Sequence, residues 1–190
     1  MQVIFATNNQ GKLKEIREAI NSIDVLSLAD IGFVGNIPEE QGTLEGNALQ
    51  KANYIFKRYK LPVFSDDTGL EVSALNGRPG VYSARYAGEE KDADKNMNKL
   101  LSKLENKENR NAQFKTVIAL VGIETTQTFE GLCKGEIITE KKGEKGFGYD
   151  PIFKPNGYDI TFAQMPLATK NQIGHRGKAV QKLISHLNTI

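Results

Sequence analysis

The chain has 190 residues, 39% of them hydrophobic and 25% charged, an ordinary balance for a globular chain long enough to bury a real core as one domain or two closely joined lobes. Twenty-five basic residues against 23 acidic ones leave a formal charge of +2, too small to mark a nucleic-acid or membrane-binding surface. A single cysteine, Cys133, excludes an internal disulfide framework and fits a reducing compartment. No stretch approaches the roughly 20 apolar residues of a membrane span, and residues 1–6 lack the charged region and long apolar run of a secretory signal. The expectation is a cytoplasmic protein with neither nucleic-acid nor membrane partners.

Val3-Ile4-Phe5-Ala6 spells a buried strand, and Thr7-Asn8-Asn9-Gln10-Gly11-Lys12 the loop after it. Leu13, Ile16, Ile20 and Ile23 then recur at helical spacing, with Asn8 or Asn9 as N-cap. A strand, a polar loop and a helix start aim free backbone N–H groups and the positive end of a helix dipole at one spot. Lys12 opposes that dipole, and an anion bound there would remove the conflict. The Walker spacing is absent. Residues 24–28 read as a second strand, and the loop over 29–42 carries Glu39 and Glu40 beside turn formers. In a helix over 43–59, Leu44, Ala48, Ile55 and Tyr59 share one side, which sets Lys51 at the edge of the apolar arc.

The stretch Pro62-Val63-Phe64-Ser65-Asp66-Asp67-Thr68-Gly69-Leu70-Glu71 is the centre of the chain. Val63 and Phe64 favour a buried strand that halts at two carboxylates, and Thr68-Gly69 permits a change of direction. Two acids at a strand end cost desolvation energy unless a cation or hydrogen bonds offset it. Magnesium is the hard cation that suits oxygen ligands beside phosphates. Leu70, Val72 and Ala74 alternate as a further strand, Asn76-Gly77 reads as a turn, and residues 78–88 form a shaped loop with two arginines.

Met97, Leu100, Leu101 and Leu104 mark an amphipathic helix, followed by a charged surface connection over 103–110. Residues 114–122 and 128–138 read as a hairpin, which makes the sheet mixed and gives Cys133 a packing role in its alternation. The glycine- and lysine-rich segment 141–148 is expected to be mobile. It leads into Gly146-Phe147-Gly148-Tyr149-Asp150-Pro151, which either clamps a flat ring at Phe147 or forms a turn with core aromatics. Residues 166–178 gather Lys170, His175, Arg176 and Lys178. The final helix carries Ala179, Val180, Leu183, Ile184 and Leu187 on one face, and His186 beside it is structural or exposed.

Acids for a divalent ion (Glu39, Glu40, Asp66, Asp67), phosphate-type donors (Thr7, Asn9, Lys12, Lys51) and an aromatic for a base (Phe147) together describe a nucleotide site. No zinc spacing and no serine–histidine or cysteine–histidine pairing accompanies them. Thr7-Asn8-Asn9-x-x-Lys12, Ser65-Asp66-Asp67-Thr68-Gly69-Leu70, Pro79-Gly80-Val81-Tyr82-Ser83-Ala84-Arg85-Tyr86, Phe147-Gly148-Tyr149-Asp150-Pro151 and Lys170-Asn171-x-x-Gly174-His175-Arg176-Gly177 resemble, in order, the blocks of the Ham1 / inosine triphosphate pyrophosphatase family. They span nearly the whole chain.

The resemblance implies an α/β fold, an elongated two-lobed mixed β-sheet flanked by helices with a central cleft, over residues 1–190 as a single nucleotide pyrophosphatase domain. It implies Mg²⁺-dependent cleavage of noncanonical purine nucleoside triphosphates (ITP, dITP, XTP) to monophosphate and pyrophosphate, which cleanses the nucleotide pool, usually in a homodimer. The segment Thr7, Asn8, Asn9, Gln10, Gly11 and Lys12 would hold the phosphate chain with Lys51 and Thr68. Glu39 and Asp67 would ligate metal, Glu40 being the alternative to Glu39, and Asp67 would also be the catalytic residue. Phe147 would stack on the base, with Gly148, Tyr149, Asp150 and Lys170 shaping the nucleoside site and His175 and Arg176 facing the purine edge. If Asp66 and Asp67 are extended, their side chains face opposite sides, and the motif favours Asp67 as the ligand. Gly174 stands where many relatives carry serine. A regulatory module that binds nucleotide without cleaving it, and a Maf-like pyrophosphatase of other base preference, are the rival readings. The Lys170-to-Gly177 block argues against the latter.

Overall fold

The computed structural model describes residues 1–21 and 23–189. Its strands are β1 (Gln2–Phe5), β2 (Asp24–Leu26), β3 (Val63–Val72), β4 (Arg78–Gly80), β5 (Asn111–Val121), β6 (Gln127–Ile137) and β7 (Phe153–Pro155). The α-helices are α1 (Gln10–Ala19), α2 (Leu44–Tyr59), α3 (Ala93–Lys103), α4 (Leu167–Ile173) and α5 (His175–Leu187). The sheet runs β2-β1-β3-β5-β6-β7, with β4 paired to β3. It is mixed: β1 lies parallel to β2 and β3, whereas β4 is antiparallel to β3 and β7 to β6. The five-residue link between β5 and β6 is a hairpin connection, as the alternation in the sequence predicts.

Contacts divide the chain into two compact units, Met1–Asp67 with Thr116–Gly131 and His175–Ile190, and Thr68–Lys115 with Leu132–Gly174. In the first unit strand alternation sorts side chains onto two faces. Val3, Phe5, Phe64, Ile118 and Leu120 pack with Leu13 and Ile16 of α1 and with Ala179, Val180 and Leu183 of α5. Ile4, Ala6, Val63, Ala119 and Val121 pack with Ala48, Ala52 and Ile55 of α2. Phe5 and Phe64 stack at 4.7 Å, a contact worth about 0.5–1.5 kcal/mol beyond its buried area. The second unit has one core, in which Met97, Leu100 and Leu104 of α3 meet Leu70, Val72, Phe114, Cys133, Phe153 and Phe162.

Four sequence expectations change. The central stretch does not turn at Thr68-Gly69, because β3 continues unbroken from Val63 to Val72. Gly69 keeps a negative φ, and the acids sit inside the strand because side-chain partners neutralise them there. Residues 78–88 contain strand β4 and a 3-10 turn instead of a loop alone. The segment 141–148 is tied down by Lys142 N–H donating to Pro151 O and Lys145 N–H to Ala163 O, and helix α4 falls within residues that the sequence marks only as a cationic stretch.

Candidate functional site

In the first unit, the loop after β1 ends on Asn9, which caps α1 by accepting from Lys12 N–H at 3.0 Å. Thr7 Oγ1 accepts from Asn9 N–H at 3.1 Å, and Asn8 donates to Gly35 O at 3.2 Å. Gln10 and Gly11 open the helix. The conflict between Lys12 and the helix dipole is resolved from within the protein: its ammonium lies 3.0 Å from Asp66 Oδ1.

Alternation along β3 decides what each central acid meets. Asp66 points with Phe64 to the α1/α5 face, where Lys12 and Arg176 Nε, at 3.0 Å, engage its carboxylate. Asp67 points with Ser65 to the α2 face, accepting from Asn47 Nδ2 at 3.0 Å, with Lys51 Nζ 3.8 Å away. Lys51 does not snorkel. It is 5% exposed, and its ammonium donates to Glu39 Oε1 and Asp66 O, both at 2.7 Å. One lysine therefore bridges the two carboxylates that the family motif assigns to metal. Glu40 looks elsewhere, its backbone N–H donating to Gln50, which donates back to its carboxylate.

Folding shifts the two neighbouring carboxyls in opposite directions. Burial alone would raise the Asp66 carboxyl, but Lys12, Arg176 and Lys51 outweigh it and hold the group well below the usual carboxylate range. For Asp67 burial wins, and its pKa lies above the ordinary value despite Lys51, Lys12 and the Asn47 hydrogen bond. Burial also lowers Lys12, with Asp66 opposing. For Lys51 the order reverses, since Asp67, Glu39 and Asp66 overcome burial and raise it.

Arg176, in the first turn of α5, is 3% exposed and pairs with Glu15 as well as Asp66. Glu15 and Asn47 are site residues that sequence reasoning missed. Each carried a signal: Glu15 lies one turn beyond Lys12 among apolar neighbours, and Asn47 one turn before Lys51 on the same helix face. His175 is buried. A Cβ on Gly131 would stand 2.0 Å from His175 O and 2.6 Å from Ala179 N, so this glycine lets β6 approach the start of α5.

In the second unit the segment after residue 141 presents Phe147, Gly148, Tyr149 and Asp150. Asp150 Oδ2 accepts from Phe147 N–H at 2.9 Å and from Lys170 Nζ at 2.5 Å. Gly146, at φ +74°, is required there, because a Cβ would come within 2.0 Å of that same oxygen. Lys170 Nζ lies 5.1 Å from the Phe147 ring centroid and 5.4 Å from that of Phe162. Tyr149 donates to Ser83 O at 2.7 Å, and burial pushes its phenol up. Ser83 Oγ in turn accepts from Leu70 N–H at 2.8 Å. Thr68 begins this unit's share of β3.

No cluster of three histidine, cysteine or acidic side chains able to hold a metal occurs among the described residues. Glu39 and Asp67 are hard oxygen donors brought together by Lys51. Such a pair fits magnesium, which takes one or two carboxylates and fills its remaining positions with water and substrate phosphates.

Comparison with known proteins identifies the family. The model of the Ham1 family matches residues 3–186. The dITP/XTP pyrophosphatase of Flavobacterium johnsoniae is 59% identical over 189 residues, 98% of each chain. The solved Ham1 protein of Staphylococcus aureus is 42% identical with a TM-score of 0.89, covering 100% of this chain and 99% of its own. A HAM1 protein from Coxiella burnetii is 35% identical with a TM-score of 0.90 over the full length of both. Five motif blocks, the mixed sheet and full-length similarity converge, and the chain belongs to the Ham1 family.

Proposed function

We propose that this protein hydrolyses noncanonical purine nucleoside triphosphates, dITP, ITP and XTP, to the monophosphate and pyrophosphate, with residues 1–190 acting as one two-lobed domain. The observation that carries the reading is the set Lys12, Lys51, Glu39, Asp66 and Asp67, with Lys51, Asp66 and Asp67 buried and cations and carboxylates interleaved within ion-pairing distance. Relatives that share about half or more of its residues over their whole length are named dITP/XTP pyrophosphatases.

Phosphoryl transfer requires positioning and charge neutralisation more than covalent chemistry. Thr7, Asn9 and the N–H groups opening α1 receive phosphate oxygens, with Asn8, Gln10 and Gly11 shaping that loop and Thr68 extending the contact. Lys12 and Lys51 supply positive charge. Glu39 and Asp67 would hold Mg²⁺, which when bound would neutralise the phosphate chain and make water more acidic. Asp67 also orients the attacking water and is its proton acceptor. Phe147 stacks on the base, while Gly148, Tyr149, Asp150 and Lys170 shape the nucleoside site. With the Arg176 side chain given to Glu15 and Asp66, recognition of the purine edge falls to His175 and to the backbone N–H groups of the first turn of α5, which have no intrahelical acceptors.

Donors aimed at purine position 6 accept a carbonyl oxygen but meet another donor in the amino group of ATP, and each buried polar group left unpaired costs about 1–3 kcal/mol. A substrate panel with pyrophosphate detection tests the reading. XTP or ITP is expected to exceed ATP in kcat/KM by orders of magnitude, with no pyrophosphate released in excess chelator. Comparable turnover of all three would refute the base selectivity, and binding without cleavage would replace this enzyme with a nucleotide-binding module. The same reading includes a homodimer and a cytoplasmic location, in keeping with the family resemblance and with a single cysteine, the buried Cys133.

A further inference from the structure

We infer that Phe162 is a specificity-positioning residue: its buried ring fixes the Lys170 ammonium against Asp150 and beside one face of Phe147, so that a base can stack only on the other face. The inference rests on the assignment of Phe147 and Lys170 to the base, and it concerns a residue that none of the motif blocks contains.

Lys170 is 5% exposed, so its ammonium has lost most of its water and depends on the groups around it. Asp150 supplies the counter-charge at 2.5 Å, at the end of a flexible four-carbon stem. The ring faces restrict it. The centroids of Phe147 and Phe162 lie 5.1 and 5.4 Å from Nζ, inside the roughly 6 Å range of a cation–π contact, which grows stronger when the site is dry. The two rings differ in freedom. Phe147 is half-buried in a turn. Phe162 is 1% exposed and is braced by Phe153 at 5.0 Å and Phe114 at 6.0 Å. Its backbone is pinned on both sides, since Thr161 N–H donates to Gln164 Oε1 at 3.0 Å, Thr161 Oγ1 donates to Lys142 O at 2.7 Å, and Ala163 O accepts from Lys145 N–H. Phe162 is thus the fixed wall, and Lys170 transmits its position to the ring that receives the base.

Phe162→Leu removes the ring face and keeps an apolar filler, whereas Phe162→Tyr keeps the face. Met97→Ala serves as the control, because it removes volume from the same core without removing a ring. Equilibrium titration with XMP and, separately, with inorganic pyrophosphate reads the base-bearing and base-free ends of the product without requiring turnover, and wild-type cleavage of XTP reports on the underlying activity independently. Phe162→Leu is expected to weaken XMP at least fivefold, to leave pyrophosphate affinity unchanged and to raise KM for XTP more than it lowers kcat. Phe162→Tyr should restore XMP binding, and Met97→Ala should lower the melting temperature without changing XMP affinity. Unchanged XMP affinity in Phe162→Leu, equal loss of XMP and pyrophosphate, an equal effect from Met97→Ala, or failure of XMP to bind the wild type would each overturn the inference.

Discussion

The two units bury charge in different ways. In the first, three cations (Lys12, Lys51, Arg176) are interleaved with four carboxylates (Glu15, Glu39, Asp66, Asp67), and most partners are shared. In the second, Lys170 and Asp150 pair among aromatic rings. A network whose partners are shared can exchange them, whereas a pair packed against rings acts as a fixed surface. The comparison teaches that substitutions in the first unit should act mainly on rate, and those in the second mainly on stability and base affinity.

Asp67→Asn is the sharpest way to break this contrast. Pyrophosphate release should fall to background while nucleotide binding largely survives, and calorimetric titration with Mn²⁺ should show metal binding weakened. Thermal stability should hold or rise, because the buried charge is disfavoured in the folded state and asparagine can still accept from Asn47. Near-normal turnover would remove Asp67 from the site. Lys51→Met comes next: it withdraws the charge that joins Glu39 to Asp67, and steady-state assays should show kcat reduced by about 10²-fold, the typical cost of one preorganised electrostatic group.

In the second unit, Lys170→Met strands the Asp150 carboxylate, and urea unfolding should report a loss of about 3–5 kcal/mol, as for a buried pair broken on one side. Adding Asp150→Asn, which can still accept from Phe147 N–H, should recover most of that stability but not base affinity. Recovery of both would mean that the pair is structural only.

The smallest effect is the pH dependence of stability, where Asp66 and Asp67 pull in opposite directions. Asp67 has its pKa raised by folding, so the folded state binds its proton more readily, and stability should increase slightly as the pH falls toward the ordinary carboxylate value of 3.8. Asp66 has its pKa lowered. Below about 3.8 the unfolded chain takes up that proton while the folded one resists, and stability is lost as the pH falls further. Asp30, Glu90 and Asp94 are lowered as well and act alike in both proteins, so urea titrations should show wild type gaining stability relative to Asp67→Asn as the pH falls toward 3.8. No such relative gain would contradict the assignment for Asp67.

Local pattern was enough for much of this protein. Alternation and helical spacing located β1, α1, α2, α3, the β5–β6 hairpin and α5 to within a few residues, because burial of one face imposes its period directly on the side chains. The motif blocks contain Lys12, Asp66, Asp67, Asp150, Lys170 and Arg176, which the structure gathers into ion pairs, since such charges are costly to bury without partners. Which charge meets which was a tertiary decision. That Lys12 takes Asp66, that Lys51 turns inward to Glu39, and that Arg176 is held by Glu15 depend on helices from distant parts of the chain meeting the two faces of β3. The unbroken run of β3 through Thr68-Gly69 was decided in the same way. Turn-forming residues and buried acids argue locally for a strand end, and only cations supplied by other segments make it favourable to continue the strand.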